Sequence, residues 1–291
     1  MQISRRLRAL FFATFLAPAS ASAQANLDNV TVRLTAANGA VYMADCPDGF
    51  GGGNVAASVG PDGILLVDDM FAAMVPKLKA ALQTKSALPI RIVLNTHFHG
   101  DHIQGDTVLA PSATLIGHEN ILKRVSQGRS APPFPMVTFS DSLRIRFNGE
   151  DITIRHFANG HTDSDSIVFF ERSKVLHLGD MFFFGMFPAV YREGGGDIKH
   201  LIRSLDRIAA EFPADARVIP GHGELATMDD LKNYIAMLKE TVGAVERGIV
   251  RHESAAALQQ DPAIAKYATL GDGGAQTLPQ YVEMLYKLLQ S

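Results

Sequence analysis

The chain has 291 residues, 47% hydrophobic and 20% charged, proportions typical of a globular protein with a large apolar core. Its 27 basic and 30 acidic residues give a formal charge of −3, which argues against binding to nucleic acid, where affinity depends on neutralising phosphates. The single cysteine, Cys46, excludes an internal disulfide and any zinc site built on two or more thiolates. We expect Cys46 to be a small apolar filler.

The first 23 residues have the pattern of a secretory signal peptide. Three arginines precede an apolar run, residues 9–17, that is too short to span a bilayer, and Ala21-Ser22-Ala23 is a small-residue cleavage site. Cleavage after Ala23, or alternatively after Ala25, removes three basic residues and no acidic one, so the formal charge falls to −6. We expect a periplasmic or secreted protein with no membrane anchor after cleavage. No motif specifies an oligomeric state.

The remaining chain, residues 24–291, alternates predicted strands and helices. Runs of apolar or alternating residues predict strands at 30–35, 41–45, 55–59, 64–67, 90–94, 113–116, 143–147, 151–157, 167–170, 175–178 and 218–219. Helical spacing predicts helices at 70–84, from Glu119, and at 197–212, 228–247 and 278–289. Three prolines make regular structure unfavourable in residues 128–136. Two successions of strands, each followed by helix, predict one α/β domain with two sheets packed face to face and helices outside.

Four side chains able to bind a metal lie within six residues after the strand at 90–94. In the segment His97-Phe98-His99-Gly100-Asp101-His102, the first two histidines point the same way if the chain is extended. Gly100 permits a turn, after which Asp101 and His102 are directed to a second point nearby. Buried imidazoles and carboxylates need partners, so this cluster predicts a metal site.

Three further segments place a His or Asp beside a glycine at the end of a predicted strand. They are Gly160-His161, Gly179-Asp180 and Gly221-His222. Any one of them is explained by a capped turn, but three such segments together with the first cluster favour a shared site.

These residues resemble the signature of the metallo-β-lactamase superfamily. His97-x-His99-x-Asp101-His102, His161, Asp180 and His222 occur in its order and roughly its spacing. The resemblance implies a four-layer αβ/βα sandwich with metals at one edge of the sheets. It implies one zinc bound by His97, His99 and His161, and a second by Asp101, His102 and His222, with Asp180 bridging them.

Imidazole and carboxylate ligands suit zinc, although a set without thiolate leaves iron and manganese as alternatives. Two ions about 3.5–4 Å apart hold a hydroxide at neutral pH, which is the expected nucleophile. Asp101 is the candidate catalytic residue, because it can orient that hydroxide and carry a proton.

Several residues near the motifs allow two interpretations. Asp68 is either a carboxylate that holds a metal-bound histidine or the N-cap of the helix at 70–84. The run Phe182-Phe183-Phe184 is either core or a mobile apolar wall over the groove. The loop Gly51-Gly52-Gly53 is either a flap or a connector. The other histidines are expected at the surface or in satisfied core positions: His118, His156, His177, His200 and His252.

Two departures from the family pattern bear on the substrate. The largest β-lactamase subclass has a zinc-bound cysteine at the position of Asp180 and, three residues later, a lysine that holds the substrate carboxylate; here that residue is Phe183. We expect Arg192 to replace the lysine. The pair His102 and Asp180 instead resembles glyoxalase II and lactonases.

Three hypotheses follow for the function. The first is an exported di-zinc hydrolase of small molecules with β-lactamase-type activity, and the second is a lactonase or thioesterase that uses the same site. The third is a non-catalytic metal-binding or partner-binding protein, against which the complete ligand set argues.

Overall fold

The computed structural model describes residues 27–126, 135 and 137–290. The expected signal peptide and nearly all of the proline-rich segment 128–136 lie outside the described residues.

The first sheet has seven strands in sequential order, antiparallel from β1 to β4 and parallel from β4 to β7. They are β1 Arg33–Asn38, β2 Val41–Asp45, β3 Val55–Gly60, β4 Gly63–Val67, β5 Ile90–Asn95, β6 Thr114–His118 and β7 Val137–Phe139.

The second sheet has six strands in the order β13-β12-β11-β10-β9-β8. They are β8 Ser142–Phe147, β9 Glu150–His156, β10 Ser166–Phe170, β11 Val175–His177, β12 Arg217–Ile219 and β13 Ala226–Thr227. Strands β11 and β12 are parallel, and the other neighbours are antiparallel. Strand β9 therefore runs in the same direction as β11 and β12, so all three end at the same edge of this sheet.

The longer helices cover the outer faces of the sheets, and the described residues form nine α-helices. They are α1 Val75–Gln83, α2 Gly100–Ile103, α3 Asp106–Leu109, α4 Glu119–Val125, α5 Ile198–Glu211, α6 Met228–Val250, α7 Ala255–Leu258, α8 Pro262–Ala265 and α9 Leu278–Leu289. Among the residues described, no helix is both long enough and apolar enough to cross a membrane.

The molecule has four layers, helices, sheet, sheet and helices, and an apolar cluster fills each of the three spaces between them. One cluster lies between the first sheet and α1 and includes residues such as Leu66 and Leu78. The second fills the space between the sheets, where Leu65 and Val168 lie. The third joins the second sheet to α5, α6 and α9. This arrangement confirms the predicted αβ/βα sandwich.

The structure corrects some predicted boundaries. The predicted helix at 70–84 is a 3-10 turn at Ala72–Met74 followed by α1, because Asp68 and Met70 have positive φ angles of 63° and 65° that no helix accommodates. Strands β7 and β13 have three and two residues and were not predicted, since their pairing depends on neighbouring strands and not on local pattern.

Two buried or half-buried histidines outside the motif stack on each other. The rings of His118 and His156 lie 3.6 Å apart and are nearly parallel. His118 accepts from the backbone N–H of Asn120 at the start of α4 and lies near the carbonyl of Ser140, and His156 lies 2.8 Å from the carbonyl of Asp165. Both are satisfied, as predicted.

We expect this pair to destabilise the fold in mild acid. Burial lowers the pKa of both imidazoles below the ordinary value of 6.5, and the neighbouring ring of His118 lowers the pKa of His156 further. The unfolded chain therefore binds more protons, and stability falls as pH drops below about 6.5. Urea unfolding between pH 5 and 7.5 should show a smaller pH dependence for His156→Phe. An unchanged pH dependence of unfolding in His156→Phe would count against this assignment.

Candidate active site

The first motif lies at the carboxyl end of β5. His97 lies in a bend just after the strand, His99 has an extended backbone, and α2 begins at Gly100, so Asp101 falls in its first turn and His102 in its last. The turn reverses the chain, and for this reason one segment of six residues supplies side chains to two adjacent points.

The remaining predicted ligands come from the second sheet. His161 follows β9, Asp180 lies in a 3-10 turn after β11, and His222 follows β12. Because these three strands end at the same edge, the side chains meet opposite the end of β5. The structure thus brings together all seven residues that the sequence predicted. Ligand-capable atoms lie within 4.8 Å of one another in each of two groups, His97, His99, His161 and Asp180, and Asp101, His102 and His222.

The carboxylate of Asp180 lies between the two groups. Its Oδ2 is 3.3 Å from Nε2 of His161 and 3.8 Å from Nε2 of His97. Its Oδ1 is 3.1 Å from Nε2 of His102 and 3.3 Å from Nε2 of His222. Each oxygen faces a different group, which is the arrangement expected of a bridging carboxylate.

The chemistry of the donor atoms fits two divalent cations. Within the part of the chain that the structure describes, Nε2 of His97, Nε2 of His102 and Oδ1 of Asp180 are buried and lack a hydrogen-bond partner of good geometry. A buried polar atom without a hydrogen-bond partner lowers the stability of the fold unless a bound ligand or ion interacts with it. All three face the same small space between the two groups, so the residues present fit a dinuclear site.

The electrostatics also favour positive charge at this point. Burial opposes protonation of His102, but Asp180, Asp101 and Asp68 outweigh it and raise its pKa well above the ordinary value. Burial likewise opposes protonation of His222, which Asp180 and Asp101 overcome, and its pKa rises to about 9. The carboxylates therefore create a negative potential that a metal cation would neutralise.

Asp68 positions the first motif and does not cap a helix. The Nδ1 atom of His102 lies 2.8 Å from Oδ2 of Asp68, which also accepts from Oγ1 of Thr96 at 2.8 Å. The backbone N–H of Thr96 donates to the other oxygen of Asp68. The helix-cap interpretation is wrong. Asp68 orients the ring of His102 so that Nε2 points into the site.

Asp165 performs a similar task for His161, and sequence reasoning missed it. Its carboxylate accepts from the backbone N–H of His161 at 2.6 Å and from the N–H and hydroxyl of Thr162. The side chain of His161 is held at Nδ1, 2.5 Å from the carbonyl of Ala189. The only signal was a carboxylate four residues after a candidate ligand.

Asn54 joins the loops of the second sheet to the first sheet, and nothing in the sequence singled it out. Its side chain donates to the carbonyls of Pro220 and Gly223, on either side of His222. Its own carbonyl lies 3.1 Å from Nε2 of His177, whose Nδ1 accepts from Gly179 beside Asp180. One buried amide therefore fixes two ligand loops, and His177 is a satisfied core residue as expected.

Most of the aromatic run after Asp180 belongs to the core, and Phe184 is half-buried against the same core. Phe182 and Phe183 are fully buried, and Phe183 stacks on the ring of His222 at 5.3 Å. The Gly51-Gly52-Gly53 loop is a packed connector, since Gly53 lies against the ring of His102. The exposed aromatic residue at this side is Phe50, whose ring lies 5.7 Å from that of His222.

Arg192 lies apart from the seven-residue cluster. Its guanidinium donates to the carbonyl of Leu288 at 2.6 Å and lines a depression at the start of α5. A different pocket adjoins His99 and His161. The position of Arg192 therefore does not support the expected role as an anchor for a substrate carboxylate. Cys46 is half-buried, and its Sγ lies 4.0 Å from Sδ of Met70, which fits a small filler.

A second pair of buried carboxylates lies behind the cluster. Asp69 accepts from the backbone N–H of Gly105, and Asp106 lies within hydrogen-bonding reach of both Asp69 and Asn95. Burial, reinforced for Asp69 by the charge of Asp106, raises the pKa of both carboxyls. The pair therefore retains a proton that isolated carboxyls would release.

We expect Asp106→Asn to stabilise the protein in mild alkali. Because the pKa of Asp106 is raised in the folded state, the protonated carboxyl stabilises the fold at low pH, and this stability is lost as pH rises through that pKa. The amide of Asn does not ionise, so Asp106→Asn avoids the loss. The gain at pH 8 should be on the order of 1 kcal/mol, the equivalent of about one pKa unit, and smaller at pH 5. Urea unfolding at both pH values measures it, with exposed Asp272→Asn as control. Equal gains at both pH values would contradict the shared proton.

The sandwich fold and the paired groups of His and Asp side chains define a class of proteins with a metal-binding site at the end of two facing sheets. The chain belongs to the metallo-beta-lactamase superfamily, since the sequence model of that family matches residues 49–222. This segment contains all seven residues of the cluster.

Known relatives agree with this membership. The chain is 25% identical over 128 residues to "Metallo-beta-lactamase type 2" of Bacteroides fragilis, covering 44% of this chain and 51% of the relative. It is 32% identical over 140 residues to a "Hydroxyacylglutathione hydrolase" of Prochlorococcus marinus, covering 46% of this chain and 52% of the relative. The chain thus spans about half the length of these curated relatives.

A solved structure shares the fold. The metallo-beta-lactamase from Pontibacter korlensis superposes with a TM-score of 0.62 at 17% identity, over 72% of this chain and 99% of that one.

Proposed function

We propose that this protein is a metal-dependent hydrolase that binds two zinc ions. His97, His99 and His161 would hold one ion, Asp101, His102 and His222 the other, and Asp180 both. The observation that carries the proposal is the position of Asp180, with one oxygen toward each group of histidines. Bound zinc would polarise a carbonyl and lower the pKa of water to about 7.

The residues of the chain would orient the reaction. Asp101 is the carboxylate with the most solvent access in the cluster, with its side chain 20% exposed, and its Oδ2 lies 3.3 Å from Nε2 of His222. In this proposal Asp101 would accept a proton from the attacking water and deliver it to the leaving group. Asp68 and Asp165 would keep His102 and His161 in place while this transfer occurs.

The substrate that we propose is a cyclic amide of the β-lactam type. The supporting observations are the family and a relative named as a β-lactamase. We also propose that the chain is exported to the periplasm or medium, as its N-terminal sequence suggests. We propose a small-molecule substrate, because the formal charge of −3 does not favour binding to nucleic acid.

Nitrocefin and benzylpenicillin test this proposal. Zinc-loaded protein should hydrolyse both, and Asp101→Ala should reduce kcat by about 10²-fold or more, the range typical of general acid–base catalysis. Turnover no greater than that of Asp101→Ala would exclude β-lactamase activity. Secretion is tested separately, by fractionating cells that express the full chain and a variant lacking residues 1–23.

A lactonase or thioesterase is the second candidate. One feature in its favour is the pair His102 and Asp180, since Asp180 stands where the largest β-lactamase subclass has a zinc-bound cysteine. The relatives named hydroxyacylglutathione hydrolase also favour it. A panel of acyl-homoserine lactones and acyl-glutathiones, assayed beside the lactams, distinguishes the two. If kcat/KM for a thioester or lactone exceeds that for every lactam, the second candidate replaces the first.

A further inference from the structure

A pocket of about 360 Å³ opens beside the three-histidine group. His99 and His161 form one side, and the remaining wall residues are Phe98, Arg124, Tyr191, Glu193 and Gly194. The volume lies at the small end of the range for ligand pockets, about 300–1,000 Å³, and suits a group of ring size.

The cation in this pocket is neutralised by its neighbours. Nη2 of Arg124 lies 2.6 Å from Oδ2 of Asp163, and Nη1 donates to the carbonyl of Glu193 at 3.0 Å. The guanidinium plane also lies over the ring of Phe98, 5.3 Å from its centroid. Arg124 therefore stiffens the wall, and its charge is already paired with Asp163, so its guanidinium is not available to hold an anionic substituent.

Tyr191 presents an aromatic ring in a fixed position. Its hydroxyl accepts a hydrogen bond from the amide of Gln276, which is buried, while 47% of the residue remains exposed. Phe98 contributes a second ring to the same pocket. Fixed, partly exposed aromatic rings bind flat apolar groups at low entropic cost.

We propose that this pocket binds an uncharged aromatic substituent on the acyl side of the substrate, and that Tyr191 determines the preference for it. The acyl side is assigned because the pocket borders His99 and His161, whereas Asp101, which would protonate the leaving group, lies with His222. The proposal rests on the proposed hydrolase function and specifies its substrate class. It favours aryl-acyl lactams and lactones over those with charged acyl groups.

Substrate pairs that differ only in the acyl group test the preference. Benzylpenicillin is compared with 6-aminopenicillanic acid, and phenylacetyl-homoserine lactone with its acetyl analogue. In the wild type, kcat/KM should favour the phenylacetyl member by about tenfold, the effect of one aromatic contact. Tyr191→Ala should abolish this ratio mainly through KM, because the contact exists equally in ground and transition states. Tyr191→Phe, which keeps the ring, should retain it.

Phe50→Ala is the matched control, since Phe50 is the exposed aromatic residue on the His222 side. It should leave the phenylacetyl preference unchanged. If the preference is kept in Tyr191→Ala, is lost in Phe50→Ala, or is absent from the wild type, the proposal is overturned.

A binding measurement separates this proposal from the proposed function. Saturation-transfer NMR should detect phenylacetamide on the wild type and on Tyr191→Phe, and not on Tyr191→Ala. Phenylacetamide binding without turnover of any substrate would support the pocket and contradict the hydrolase. Turnover without phenylacetamide binding and without an acyl preference would support the hydrolase and contradict the pocket.

Discussion

Asp180→Asn is expected to abolish most of the activity and to reduce metal content. The carboxylate faces His97 and His161 with one oxygen and His102 and His222 with the other. An amide keeps the shape but offers one neutral oxygen, so it cannot serve both groups. We expect kcat/KM to fall by at least about 10²-fold, the loss that follows a misplacement of about 1 Å at a reacting centre.

Metal analysis after dialysis should distinguish loss of an ion from loss of chemistry. The wild type should retain two zinc ions per chain, and Asp180→Asn should retain one or fewer. Asp215→Asn, a substitution of an exposed aspartate that pairs with Lys174, is the control and should match the wild type. Two retained ions together with wild-type turnover in Asp180→Asn would show that Asp180 does not bridge.

Gly53→Ala is expected to damage the site through steric overlap alone. A Cβ at this position would lie 2.1 Å from Cε1 and 2.5 Å from Nε2 of His102. The ring cannot move aside without breaking its contact with Asp68, which lies 2.8 Å from Nδ1. We expect a loss of stability of about 1–3 kcal/mol, as for other overpacked interiors, and a fall in kcat/KM of about 10²-fold or more.

Two comparisons isolate this overlap. Gly243→Ala in α6 adds the same methyl group against the flexible end of Arg247 and should be neutral or slightly stabilising. Gly53→Ala should also cost less in a His102→Ala background, because the overlapping ring is gone. Equal costs in both backgrounds would refute the overlap with His102.

Much of the architecture was predictable because the local pattern carries it. The apolar runs at 64–67 and 90–94 became β4 and β5, and the amphipathic spacing at 197–212 became α5, capped by Asp197. Where local pattern is weak, prediction failed. The two-residue strand β13 exists only because β12 offers it hydrogen bonds, and the turn before α1 depends on the positive φ angles of Asp68 and Met70.

The residues around the ligands were less predictable than the candidate ligands themselves. Asn54 has no composition or spacing that marks it, because its partners are backbone carbonyls brought near by the fold, and Asp165 was marked only by lying four residues after a candidate ligand. Arg192 shows the opposite case. Its position in the sequence suggested an anchor for a substrate carboxylate, but it lines a depression at the start of α5.

The sequence by itself determined the order of strands and helices and the seven His and Asp positions that follow strand ends. These depend on side-chain periodicity and on residue chemistry, which are local properties. Only the tertiary structure decided that the two halves of the seven-residue cluster meet, because the ends of β9, β11 and β12 must face the end of β5 across the sandwich. It also decided that Asp68 orients His102, that Phe183 is core, and that Arg124 beside Tyr191 is paired with Asp163. Each of these depends on contacts between residues distant in sequence, which no local pattern encodes.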